Sequence, residues 1–177
     1  LGIDPDAEDS EVSEEEIRML VDSGSEKGVI DSEESEMIQN VFEFDDLTVG
    51  EIVTHRTEIA FLWNDESVAE WDKTIKSTSY SFYPICEESI DNIIGILHTR
   101  DYLLKHTRSG FKLEDVMFAP TFVPTTAHLD VLFKEMQKEH NHIVVVVNEY
   151  GETAGIVTME DILEEIVGEI WDERDEA

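Results

Sequence analysis

Apolar positions near the start of the chain recur at helical spacing. Ser13-Glu14-Glu15-Glu16 has the form of a capping box, and Ile17, Leu20 and Val21 follow it, with Gly24 as the expected stop. A second helix is predicted from Asp31 or Ser32, with Met37, Ile38, Val41 and Phe42 on one stripe. Both helices are short, so their faces need a partner surface. From residue 47 the chain repeats itself. Tyr83–Leu103 (YPICEESIDNIIGILHTRDYL) aligns with Val144–Leu163 (VVVVNEYGETAGIVTMEDIL) across a one-residue gap, which sets Gly95 on Gly155 and Asp101 on Asp161, each 60 residues apart. Upstream, Val68, Trp71 and Ile75 match Leu129, Leu132 and Met136 as the apolar face of a helix. Earlier still, Val49–Val53 (VGEIV) resembles Leu113–Met117 (LEDVM). Each unit reads as short helix, strand, helix, strand, strand, helix. The predicted fold is α+β, a pseudo-twofold pair of strand-helix-strand-strand-helix units behind acidic helices, with a cleft between the halves open to a ligand. The expected boundaries are 1–45 for an acidic helical linker, 46–108 and 109–171 for the units, and 172–177 for an acidic tail.

Charge sharpens this division. The 177 residues carry a formal net charge of −31, so phosphate backbones and anionic membranes are repelled and no nucleic-acid partner is expected. Residues 1–46 hold 17 Asp and Glu against 2 Lys and Arg, and residues 160–177 hold 9 against 1, so the acid is concentrated at the two ends. At 41% hydrophobic the chain has enough apolar residues for a packed core. The single Cys86 excludes an internal disulfide and fits a reducing compartment. No signal-peptide pattern is present, and the longest apolar run, Ile143–Val147, is far too short to span a membrane.

The candidate chemistry lies where the last strand of each unit meets a helix. The second unit reads Gly155-Ile-Val-Thr158-Met-Glu-Asp161 and the first Gly95-Ile-Leu-His98-Thr-Arg-Asp101. A helix N-terminus presents free N–H groups and partial positive charge, suited to phosphate or ribose oxygens. A carboxylate there can accept hydrogen bonds from ribose hydroxyls. A plain structural role also suits these residues, since Thr158 is a good N-cap and an early Asp complements the helix dipole.

The repeated glycine–apolar–apolar–Thr/His–x–x–Asp frame resembles a tandem pair of CBS domains, a Bateman module. More narrowly, THRTEI, NHIVVVVNEYG and GIVTMEDILEEIVGEI resemble the cytosolic part of the CorC/HlyC and CNNM group of magnesium-transport-associated, hemolysin-like membrane proteins, over about residues 13–171. The resemblance implies an adenine nucleotide (AMP, ADP or ATP), with or without Mg²⁺, held between the repeats. It implies a homodimer of modules, control of a membrane-bound Mg/Co transporter, and a cytoplasmic domain cut from an inner- or plasma-membrane protein. Carried over by position, Asp161 would hold the ribose and Thr158 the phosphate side. Thr54 and Arg56 would approach the same cleft, Tyr83 and Pro84 would line the adenine, and His98 and Asp101 would form a second, weaker site. The chain departs from the family at Thr54-His55-Arg56, where Thr-Pro-Arg is usual, and at Ser81-Phe82, where Ser-Arg is usual. Loss of that Arg removes a bidentate phosphate partner.

Two other functions compete. One is a structural dimerisation module whose clefts are filled by side chains such as Phe82; the other is a divalent-cation sensor acting through Glu33, Glu34 and Glu36. An enzyme is not expected, because no activated nucleophile, acid–base pair or phosphate loop is visible. Asp4, Asp6, Glu8 and Glu15 approximate a calcium loop but lack its turn glycine. His140 and His142 open a strand and read as packing before metal ligation, and no metal site is expected. Cys86 reads as a buried thiol, and Trp63 and Trp71 as core or interface.

Overall fold

The computed structural model describes residues 12–168. The acidic lead-in before Val12, with its calcium-loop-like acids up to Glu8, and the acidic tail at 172–177 lie outside the described residues. Two helices, α1 (Glu14–Glu26) and α2 (Ser32–Phe44), form an antechamber to the repeats, each opened by a reciprocal box, Ser13 with Glu16 and Asp31 with Glu34. The first helix runs two residues past Gly24, and the left-handed turn falls instead at Gly28 (φ 71°). Of its predicted stripe only Val21 is buried, while Leu20 is 69% exposed.

The predicted unit is present twice, with one strand more than expected ahead of its long helix. The first contains α3 (Val49–Ile52), β1 (Thr54–His55), β2 (Leu62–Trp63), α4 (Val68–Thr78), β3 (Phe82–Glu87), β4 (Ser89–His98) and α5 (Thr99–Lys105). The second opens on a 3₁₀ turn at Leu113–Asp115 and continues through β5 (Met117–Phe118), β6 (Phe122–Pro124), α6 (Leu129–Glu139), β7 (Ile143–Val147), β8 (Thr153–Thr158) and α7 (Met159–Val167). The strands form two four-stranded sheets, β2-β3-β4-β5 and β1-β8-β7-β6, so each unit gives its first strand to the other's sheet. Thr54 sits opposite Ile156 and His55 opposite Gly155; in the mirror arrangement Leu97 sits opposite Met117.

Strand alternation then divides the core into three layers. Tyr83, Ile85 and Leu97 face Trp71 and Ile75 of α4 and Tyr102 of α5. Val144, Val146 and Val157 face Leu129, Leu132 and Met136 of α6 and Ile162 of α7, joined by Phe44 and Val49 from the N-terminal elements. Between the sheets, Cys86, Ile93 and Ile96 meet Ile143 and Val145. Trp71 is core, its indole N–H donating to the Trp63 carbonyl at 2.9 Å. Burial, with Asp91 nearby as a lesser cause, pushes the Cys86 thiol up to about 12. Iodoacetamide is therefore expected to leave Cys86 unlabelled in the folded chain near neutral pH and to label it fully in denaturant. Labelling of the native chain at the rate of a free thiol would place Cys86 outside the core.

Asp91 ties the units together. Its Oδ1 accepts from the Thr153 N–H at 2.9 Å and from Arg56 Nη1 at 3.0 Å, and Arg56 Nη1 also donates to the Thr153 carbonyl at 3.0 Å. Because Thr153 is buried, Arg56→Ala leaves a carbonyl short of a partner and should cost about 1–2 kcal/mol, a fall of a few degrees in Tm. An unchanged melting curve would show that the bridge contributes nothing.

Candidate functional site

A strand that runs directly into a helix leaves the helix's first N–H groups at the strand's end. At the β8–α7 junction Thr158 is the N-cap: its Oγ1 accepts from the Asp161 N–H at 3.2 Å, and Asp161 Oδ2 accepts from the Thr158 N–H at 2.7 Å. The capping role is therefore real. It uses one carboxylate oxygen, and among the described residues Asp161 Oδ1 accepts no hydrogen bond.

The β4–α5 junction differs. His98 takes the N-cap position without a side-chain cap bond, its Nδ1 lies 3.7 Å from Asp101 Oδ2, and its ring stacks on Phe82 at 4.9 Å.

Across from these junctions, α4 and α6 both end on a left-handed residue, Ser79 (φ 58°) and His140 (φ 54°). That turn sends Tyr80–Phe82 and Asn141–Ile143 back into strands beside the helix N-termini. The equivalence is fixed by the ladder, because Phe82 faces His98 as Ile143 faces Thr158. It is also fixed by matched bonds from the Thr99 N–H to the Ser81 carbonyl and from the Met159 N–H to the His142 carbonyl, both 2.9 Å.

Two clefts result. One, of about 550 Å³, is bounded by Thr54, Ile59, Tyr80, Ile156, Thr158 and Asp161, with Thr78 and Ser79 at its base. The other, of about 610 Å³, is bounded by His98, Asp101, Phe118, His140 and His142. Ser81, Phe82, Thr158 and Glu160 border both. The first carries hydroxyl groups, two aromatic rings and three carboxylates (Glu58, Glu160 and Asp161), with no Lys, Arg or His among its described lining.

Of the six residues expected in one cleft, the structure brings Thr54, Thr158 and Asp161 together; His98 and Asp101, expected as a second site, border the other cleft. Three do not reach either. Arg56 is turned toward Asp91 and Thr153 because the chain enters a 3₁₀ turn at Arg56–Glu58 immediately after β1. Tyr83 faces the helices: its hydroxyl accepts from the Tyr80 N–H at 2.9 Å and lies 2.7 Å from Thr78 Oγ1, so it braces the cleft from behind. Pro84 is buried on the opposite strand face, one step too deep along β3. The aromatic positions that do border the first cleft are Tyr80 and Phe82, and Ser79, Ser81, Glu58 and Glu160 join them. The signal that marks them in sequence is the polar run Ser77–Ser81 between an amphipathic helix and an apolar strand, which requires a sharp turn at its middle.

Comparison with known proteins fits this geometry. The family model described as CBS domain matches residues 113–168. A solved CBS domain of the bacterial CNNM/CorC family Mg²⁺ transporter superposes with a TM-score of 0.83 at 34% identity, covering 92% of this chain and all of that one. A structure of a CBS domain of that family in complex with ATP superposes at 0.72 with 34% identity, over 77% of this chain and 99% of that one. The magnesium and cobalt efflux protein CorC of Pasteurella multocida is 35% identical over 164 residues, covering 92% of this chain and 55% of that protein. The first curated relatives are longer still, and this chain spans 39% of their length. Two strand-exchanged units enclosing paired clefts make this a CBS-domain pair. The chain belongs to the CNNM/CorC family, as its CBS-domain part. Among the described residues no helix is long and apolar enough to cross a membrane.

Proposed function

We propose that the chain is a regulatory module that binds an adenine nucleotide in the cleft bounded by Thr54, Thr158 and Asp161. The observation that carries this is convergence: Thr54 and Asp161, over a hundred residues apart, border one cavity because β1 is exchanged into the sheet of β8. The free Asp161 oxygen accepts from ribose hydroxyls, the Thr54 and Thr158 hydroxyls donate toward phosphate, and Tyr80 and Phe82 flank the base. The lining fits an adenosine moiety well. It fits bare phosphates poorly, since Glu58 and Glu160 repel them, so a polyphosphate would bring Mg²⁺ as its counter-charge. The complex of a related CBS domain with ATP supports the ligand class.

The module performs no catalysis in this reading; it biases a membrane-bound divalent-cation transporter of which it is a cytoplasmic part. Units 46–108 and 109–171 trade first strands, and α7 is the relay. Its N-terminus carries Thr158 and Asp161, and its Ile166 carbonyl accepts from Asn40 Nδ2 of α2 at 3.2 Å. Ligand at one end of α7 thereby shifts the N-terminal helices at the other. Exposed Leu103 and Leu104 on α5 and Val167 on α7 supply apolar surface for pairing two modules. Filled clefts are disfavoured, because both cavities persist beside Phe82.

A thermal-shift panel of AMP, ADP and ATP, with and without Mg²⁺, tests the reading. A nucleotide present at a hundred times its Kd should add about 2.7 kcal/mol of stability. No shift with any of them overturns it.

A further inference from the structure

The connection between the two units is the exception to the chain's acidity. Arg100–Lys112 holds four of the chain's 12 Lys and Arg residues and a single acid, Asp101. The equivalent stretch of the second unit has Glu160 for Arg100, Glu165 for Lys105 and Gly168 for Arg108. Lys105 ends α5, and the next residues form a turn in which the Phe111 N–H donates to the Arg108 carbonyl at 3.2 Å and Gly110 is left-handed (φ 79°). Lys105, Arg108, Ser109, Gly110, Phe111 and Asp115 line a hollow of about 300 Å³. Lys105 Nζ is held there by the Asp115 carbonyl at 2.9 Å. Phe111 sets its ring edge-on to Tyr102, with centroids 6.1 Å apart, which seats the turn on the core of the first unit. A cation in the last turn of a helix complements the dipole, and that accounts for Lys105. It does not account for Arg108, which lies past the helix end and whose guanidinium meets no acceptor among the described residues. The Ser109 hydroxyl and the Ser109 and Gly110 N–H groups likewise donate to no described residue. The one carboxylate in the lining, Asp115, already accepts from the Lys112 N–H at 3.0 Å through Oδ2.

We propose that this hollow binds inorganic phosphate or a compact phosphate monoester at the joint between the units. Lys105 and Arg108 supply the charge, Arg108 as a planar fork that matches two phosphate oxygens. The Ser109 hydroxyl and the N–H groups of the turn complete a set of donors around one space. Lys105 closes α5 and Asp115 belongs to the turn that opens the second unit, so a bound phosphate adds a bridge across the joint. The hollow shares no lining residue with either cleft, and the site does not depend on the nucleotide reading.

The test is a titration of the chain with inorganic phosphate, without nucleotide, at constant ionic strength with chloride as the replaced anion, followed by amide NMR. The Ser109, Gly110 and Phe111 signals should move to saturation. Arg108→Gln should weaken phosphate about tenfold, the worth of one hydrogen bond between charged groups. Its melting temperature without phosphate should match that of the wild type, because the Arg108 side chain holds no described residue in place. Lys105→Gln, which keeps a donor for the Asp115 carbonyl, should weaken phosphate by a similar factor and gives a second reading should the first variant misfold. Three results overturn the proposal: shifts that grow linearly without saturating, a midpoint in either variant equal to the wild type's, or saturable shifts confined to the cleft of Thr54, Thr158 and Asp161. The nucleotide reading has its own thermal-shift panel, so the two fail separately.

Discussion

Gly155→Ala is expected to destabilise the chain by about 3 kcal/mol or more, lowering Tm by roughly 6–12 °C. A Cβ at this position would fall inside the contact surface of the Thr54 carbonyl oxygen and 2.7 Å from Val53 Cγ2. The obstacle is backbone, and β1 is held at that distance by its ladder with β8. The methyl group fits only if the exchanged strand moves away, and that strand carries Thr54 into the cleft. Gly95→Ala is the matched control. Its Cβ would meet Cγ and Sδ of Met117, a flexible thioether side chain that can swing aside, so about 1 kcal/mol is expected. Thermal unfolding followed by circular dichroism gives both values. If Gly95→Ala proves as damaging as Gly155→Ala, close approach of β1 is not what requires the second glycine.

Asp161→Asn should weaken adenine-nucleotide binding about tenfold to a hundredfold, the worth of a hydrogen bond to a charged acceptor. The substitution is chosen because an amide oxygen can still accept from the Thr158 N–H, which preserves the cap. What it removes is the negative charge and the second acceptor, Oδ1. Melting temperature should therefore change little while affinity falls, separating a binding role from a capping role. If calorimetry returns an unchanged Kd, the carboxylate does nothing beyond closing the helix.

The units, their order and the capping box at Ser13 were legible because they rest on local chemistry: a Ser with an acid three residues on, and apolar faces at Trp71/Ile75 and Leu132/Met136. The glycines at 95 and 155 were legible as equivalents, but their cause was not. A two-residue strand such as Thr54–His55 has no periodicity, and its pairing with Gly155 is decided by the closure of two sheets. In the site, Thr158, Asp161 and Thr54 were found in the cleft expected for them, because a strand-to-helix junction fixes where its first residues point. Arg56, Tyr83 and Pro84 lie outside both clefts for a different reason. Their placement depends on which way a side chain turns after a two-residue strand, or on which face and depth of β3 a residue occupies. Tyr80 precedes β3, in the turn that follows α4. His140 and His142 read in sequence as a strand start, and only the left-handed turn at His140 shows them bordering a cavity.

The cleft of Thr54, Thr158 and Asp161 is tested most directly by methyl NMR of the wild-type chain during an AMP titration. Ile59 and Ile156 border only that cleft, whereas Ala119 and Met159 border only the cleft of His98 and Asp101. The methyl signals of Ile59 and Ile156 should move with saturation while those of Ala119 and Met159 stay in place. Movement confined to Ala119 and Met159, or no movement at all, would contradict the assignment of the nucleotide to Thr54, Thr158 and Asp161.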